Sequence, residues 1–199
     1  MTTGLDAASL DNLQLDAGVF LRNFDYSSYT SVAALKEALA AAAENPENRM
    51  GATRGDGNFS AIPQRRSPEI NGKRYEFVGS ERFDSWEIKM SGTLLETTAQ
   101  NIRDVLSCAD VEKNGDVTTL TLRTQPKKED YMDVVWVGDT AKGLILIALK
   151  NALNVVGMNF TFTDKGEGTL PFEFHAHQDK VGDYDKAPCK IVLLEETAA

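Results

Sequence analysis

The sequence is poor in the residues that carry most protein chemistry. Of 199 residues only two are histidine and two are cysteine. Cys108 and Cys189 stand far apart, in no C-x-x-C or metal-ligand spacing. Neither a zinc knuckle nor a disulfide framework is written into the chain, and free thiols in a reducing compartment are the expectation. Long apolar runs are missing. The longest, GLILIAL at 143–149, falls far short of the roughly 20 apolar residues a helix needs to cross a bilayer. The opening MTTGLDAASLDN has no basic stretch followed by an apolar one, so no secretion signal is expected. Positive charge is in deficit: 21 Lys and Arg face 30 Asp and Glu, a net charge of −9. That excludes a protein that grips nucleic acid by its phosphates, which takes clustered cations. It leaves room for one that DNA slides past. Also missing are the phosphate-cradling P-loop, the G-x-S-x-G elbow, H-E-x-x-H and G-x-G-x-x-G.

What is present is a single domain's worth of chain, 1–199, with ordinary hydrophobic content. Residues 1–15 read as a polar arm. A first strand is expected over Asp16 to Asp25. The Ala-rich SVAALKEALAAAAE (31–44) predicts a helix near the N-terminus, with Val32, Leu35 and Leu39 on one stripe. NPENRMGATRGDGN (45–58) is turn-rich and ends it. Strands are expected at Phe59 to Gln64, Tyr75 to Gly79 and Ser85 to Leu94, with the basic loop RRSPEINGKR (65–74) between the first two. A second helix is expected over about 97–109, from the spacing of Leu95, Thr98, Ile102, Val105, Leu106 and Ala109. Two capping boxes compete for its start, Thr93 with Glu96 and Thr97 with Gln100. Six more strands follow, at 116–123, 131–138, 143–153, 158–164, 168–178 and 187–196. DKGEG (164–168) reads as a hairpin tip between the fourth and fifth of them. GLILIALKNAL (143–153) is apolar on both faces over its first half. One face should pack on a sheet and the other under a helix or a neighbouring subunit.

Three motifs invite function. His175 and His177 sit two apart in a strand, so Glu173, His175, His177 and Asp179 would share one face and Phe172, Phe174 and Ala176 the other. An H-x-H pair with Glu173 is the beginning of a metal site, but such a site needs at least three suitable ligands and nothing else in the chain points there. The plain reading is a strand with a core face and a face toward water or a partner subunit. Arg54-Gly55-Asp56 spells an adhesion tripeptide but reads as a glycine turn. Arg65, Arg66, Lys73 and Arg74 form a basic cluster in an acidic chain, either a solvated loop or a contact to the acidic surface of another copy.

Several long phrases occur together in one order: GATRGDGNFS (51–60), PEINGKRYEFVGSERFDSWEIKMSGTLLETT (68–98), YMDVVWVGD (131–139), GLILIALKNALNVVGMNFTFTDKGEGTLPFEFHAHQD (143–179) and the closing APCKIVLLEE. On these the chain from Gly51 onward resembles the major tail tube protein of long-tailed, siphovirus-type phages of Gram-positive bacteria. The resemblance implies a mainly β fold, a β-sandwich or half-barrel of antiparallel sheets with a flanking α-helix. It implies a structural virion protein made in the host cytoplasm, with no catalytic residue, cofactor or metal. Copies would close into hexameric rings that stack into a hollow tube, meeting the tape-measure, tail terminator and distal tail proteins, and DNA would transit the lumen without specific binding or any membrane contact. The region 45–74 would serve contacts between subunits. A heterologous interface closes into a ring when its rotation permits. Such a ring would carry about −54, which keeps a polyanion moving rather than bound. Two rival readings are an inner tube protein of a contractile phage-like particle and a small metal-dependent β-fold enzyme or binder using Glu173, His175 and His177.

Overall fold

A computed structural model describes residues 18–27, 29, 31–162, 164–179 and 185–195. The arm at 1–15 lies outside the described residues. The chain runs β1 (Val19–Arg22), α1 (Val32–Glu44), β2 (Asn58–Arg66), β3 (Arg82–Leu94), α2 (Ala99–Leu106), β4 (Ala109–Asn114), β5 (Val117–Leu122), a short 3-10 turn (Lys128–Asp130), β6 (Met132–Thr140), β7 (Gly143–Asn154), β8 (Leu170–His175) and β9 (Cys189–Glu195). The fold is mainly β, with antiparallel sheets and flanking helices, as expected.

β7 organises it. Its first part pairs with β6 and β9, giving the sheet β1-β6-β7-β9; its last two residues pair with β8, which continues through β3 to β2. A bulge between these parts shifts the β6–β7 register, so that Met132 meets Ala152 while Val134 meets Leu149. Asn151 takes φ 45° there, a left-handed conformation that Asn tolerates better than most side chains. The extra residue puts Leu149 and Ala152 into the same core despite their spacing of three.

That core lies between the two halves. Phe20, Val134 and Leu149 come from one side, Ile88, Met90, Phe172 and Phe174 from the other. Phe20 and Phe172 meet edge to face at 5.2 Å. On the opposite face of β6 and β7, a second core joins Val135, Val137, Leu144, Leu146 and Ala148 to Val32 and Leu35 of α1. The two-faced strand is therefore roofed by a helix on one side and faces a sheet on the other, as its sequence requires. Ser31 caps α1, accepting from Ala34 N–H at 3.3 Å. Asn45 ends it in extended backbone, the conformation that the following Pro46 imposes.

The second helix is shorter than expected and capped elsewhere. Thr98 accepts from Asn101 N–H at 3.1 Å, while Ser107 turns left-handed at φ 67° and closes the helix. Neither expected capping box forms. Thr93 belongs to β3, Glu96 takes the Ala52 N–H, and Gln100 donates to Asp104. Ala109 starts β4 instead. The innermost residues of α2 are Val105 and Asn101, with Ile102 and Leu106 only half-buried.

Asn101 is inward because a buried cation needs it. Arg22 is 2% exposed. Its guanidinium donates to the carbonyls of Pro46, Glu47 and Arg49 and to Asn101 Oδ1, and its Nε approaches Asp104 Oδ2 at 2.8 Å. Asn101 in turn donates to the carbonyls of Met50 and Glu96. One arginine thus fastens β1, the segment after α1 and α2 together. The same segment bridges both halves of the sandwich, through Leu21 with Arg49 and Thr53 with Leu94.

Two expected strands are not strands. Residues 75–79 lie in the β2–β3 loop, because the Glu76 carboxylate draws in Ser67, Lys73 and Ser80 and coils the segment on itself. Residues 158–164 make only the bridge Thr161 to Thr169 among the described residues. The reason is Asn154, whose side chain donates to the Gly157 carbonyl and accepts from Glu173 N–H, turning the chain before a ladder can form. DKGEG keeps a turn at 164–166 but closes no true hairpin. Of the expected first strand, residues 16 and 17 lie outside the described residues and Val19–Arg22 is strand, ending before Asp25; β2 runs on to Arg66, so Arg65 and Arg66 are strand residues.

Candidate functional site

The histidine strand does not assemble the expected shared face. β8 ends at His175, so His177 and Asp179 lie beyond it. His175 Nε2 donates to Glu173 Oε1 at 3.0 Å. That bond, and then the charge of Lys89, hold the Glu173 carboxyl below its ordinary range. His177 turns away: its Nδ1 donates to the Asn151 carbonyl at 3.1 Å, and Tyr131 packs edge-on against its ring. Glu173 and His175 are thus brought together, and His177 serves the β7 bulge instead. Among the described residues, no group of three or more His, Cys, Asp and Glu side chains is placed to hold a metal.

A cleft of about 370 Å³ lies beside that bulge, lined by Asp133, Lys150, His177 and Lys186 among others. Asp133 is already engaged, by Lys150 at 2.7 Å and by Asn151 N–H at 3.0 Å. The hydrogen bond to Asp133 raises the Lys150 pKa, which favours the charged form of this lysine.

The feature that stands out is apolar. Along β3 the core-facing row is Met90, Ile88, Trp86 and then, past a bulge opposite Gln64 and Arg65, Phe83. Met90 and Ile88 are 2% and 3% exposed, whereas Trp86 and Phe83 are 47% and 57% exposed. The row begins in the core and continues into solvent. Phe83 and Trp86 stack on each other at 5.9 Å, with Pro63 opposite Trp86 on β2. The loop beyond adds Ile70, Tyr75, Phe77 and Val78, all exposed. Scattered apolar side chains on a surface are ordinary, whereas a stacked aromatic pair that continues a core row is the kind of surface that interaction sites use.

The basic cluster lies on this same hairpin, and three of its four cations are paired within it. Arg66 meets Asp84 at 2.8 Å, Arg65 meets Glu81 at 3.6 Å and Lys73 meets Glu76 at 2.6 Å. The hairpin therefore presents its aromatics more than its charge. Arg54 of the RGD tripeptide pairs with Glu167 at 3.1 Å, which ties that turn to the 164–168 segment.

A second uncovered apolar strip lies on β9. Ile191 and Leu193 pair with Ile147 and Ile145 of β7 and extend the sandwich-facing row of that strand, yet they are 53% and 66% exposed. Among the described residues β9 pairs only with β7, and β2 only with β3, so each presents an open edge. Open edges with apolar faces are templates for pairing with another chain. Sequence reading located the hairpin region but not its aromatic overhang. The signal was the apolar set Phe83, Trp86, Ile88 and Met90 in one run, whose burial changes partway along. No family model and no curated protein matches the chain.

Proposed function

We propose that this chain is a self-assembling structural subunit, the tail tube protein of a long-tailed phage. The observation that carries the reading is the core row of β3, which leaves the sandwich and ends in solvent at Trp86 and Phe83. A neighbouring copy completes that row. Covering such side chains contributes about 1.5–3 kcal/mol each when burial is complete, enough for several together to outweigh the ordering of a loop. The open edges of β2 and β9 differ from each other, so a contact between them is head-to-tail, the kind that closes into rings. Rings stack into a tube that DNA traverses, and the tape-measure, terminator and distal tail proteins meet its lumen and ends.

The test is assembly of the purified chain, alone and with a tape-measure protein, watched by electron microscopy and sedimentation. Rings or tubes are expected. Trp86→Ser combined with Phe83→Ser should keep the melting transition and abolish assembly. A wild-type chain that stays monomeric under all these conditions, or a double variant that assembles as wild type does, overturns the reading.

A further inference from the structure

The chain contains two Asn–Gly dipeptides, Asn71–Gly72 and Asn114–Gly115, both exposed. Their local chemistry is the same. In each, the small glycine leaves its backbone nitrogen open to the neighbouring asparagine side chain. The fold treats them differently. We propose that Asn71–Gly72 is a self-modifying site, where the asparagine side chain is lost as ammonia and the backbone reroutes, and that the fold protects Asn114–Gly115.

The step requires no partner beyond water. The Gly72 backbone nitrogen, giving up its proton, attacks Asn71 Cγ. A C–N bond forms, the Cγ–Nδ2 bond breaks, and ammonia leaves with the proton. Water then opens the five-membered imide at either carbonyl, leaving aspartate or isoaspartate at position 71. One water is consumed, one ammonia is released, and nothing is oxidised or reduced. The attack requires the Asn backbone to rotate until its Cγ comes over the next nitrogen.

At position 71 that rotation has only a single turn bond to break. Residues 70–73 form a turn closed by Lys73 N–H on the Ile70 carbonyl at 3.0 Å, a bond that uses neither atom of the reacting pair. Gly72 at φ +84° and Gly115 at φ +61° both have nothing within 4 Å of where a Cβ would stand, so the difference lies with the asparagines. At position 114 it is closed. Asn114 is the last rung of the β4–β5 ladder, paired with Val117, and five further pairs from Lys113–Thr118 to Ala109–Leu122 hold it extended. Rotating Asn114 breaks the rung that closes the hairpin. Tight ladders suppress such local opening, while short loop turns do not.

The consequence falls on the surface described above, and that link alone rests on the proposed assembly. The Lys73 and Ser67 contacts that organise the loop converge on the Glu76 carboxylate. A new carboxylate at position 71 places like charge in that loop, and isoaspartate lengthens the backbone inside a four-residue turn. Both displace Tyr75, Phe77 and Val78, so free subunits would lose assembly competence as they age.

The full chain is incubated at mildly alkaline pH and mapped by peptide mass spectrometry with isoaspartate detection. Conversion at 71 is expected to run many-fold ahead of 114, to quicken with pH, and to lose that selectivity when the chain is unfolded in urea. Asn71→Gln should block it with melting unchanged. An intact amide at 71 after the unfolded control has converted, or equal conversion at both positions in the folded chain, overturns the proposal. Assembly is scored separately on fresh and aged protein. Aged protein that assembles like fresh protein overturns the link to docking, whereas failure of fresh wild type to assemble at all rejects the assembly reading instead.

Discussion

Arg22 and Asp104 form a buried ion pair whose two members are not equally comfortable. Arg22 has four oxygen acceptors besides the carboxylate. Asp104 has Gln100 Nε2 at 2.9 Å and the arginine, and burial outweighs the opposing charges of Arg22 and Arg103, raising its pKa to about 6. The folded chain thus binds this proton more tightly than the unfolded chain does. The stabilisation from this group is complete below the ordinary value of 3.8 and is lost as pH rises through about 6. A shift of that size corresponds to about 3 kcal/mol. Asp25, Glu76 and Glu173, whose carboxyls are held low, push the whole-protein profile the other way, so a difference must be measured. The unfolding free energy of wild type minus that of Asp104→Asn should fall by about 2 kcal/mol between about pH 4 and pH 7, most of the full amount. A flat difference would show that Asp104 ionises as an exposed carboxyl does. None of this was legible in the sequence. VFLR reads as a strand ending in a polar residue, and only the fold brings 22 beside 101 and 104. Buried charge is set by long-range partners, which local pattern does not encode.

At the scale of elements, strands with one dominant requirement were legible and those decided by a single side chain were not. GLILIALKNAL could satisfy both its faces only between a helix and a sheet, and it does. Residues 75–79 and 158–164 have strand-like composition, but Glu76 and Asn154 capture the backbone and side-chain groups around them first. The histidine pair was read by strand alternation, which stops applying where β8 ends. Helix α2 was found by its spacing, yet its rotation was misjudged because Asn101 faces inward with Val105. That rotation is testable. Val105 is fully buried, so Val105→Asp places an unpaired charge in the core and should cost about 3–5 kcal/mol. Ile102 packs on the core from its rim, and Ile102→Asp should cost about half as much, since its carboxylate reaches water. Chemical denaturation of both variants decides the matter. Equal losses would put Ile102 on the inward face, where spacing alone had placed it.

For the whole molecule, the question is which force would join one copy to the next. Each copy carries −9, so copies repel. Two kinds of contact could overcome this, and salt separates them. If Arg65 and Arg66 gripped the acidic surface of a neighbour, raising salt would weaken the contact, because screening shortens the reach of exposed charges to about 8 Å at physiological ionic strength. But these arginines already answer Glu81 and Asp84 on their own hairpin. Exchanging one exposed pairing for another gains little, as exposed pairs contribute about 0–1 kcal/mol. Among the described residues the aromatic overhang has no such internal ion partner, only the stack of Phe83 on Trp86, and apolar burial does not weaken with salt. Salt should therefore relieve the repulsion and leave the attraction intact. Light scattering of the purified chain should show assembly quickening as sodium chloride rises from about 0.01 M to about 1 M, where the screening length falls from about 30 Å to about 3 Å. Assembly that slows over that range would mean that ion pairs between copies, and not the apolar row of β3, hold the subunits together.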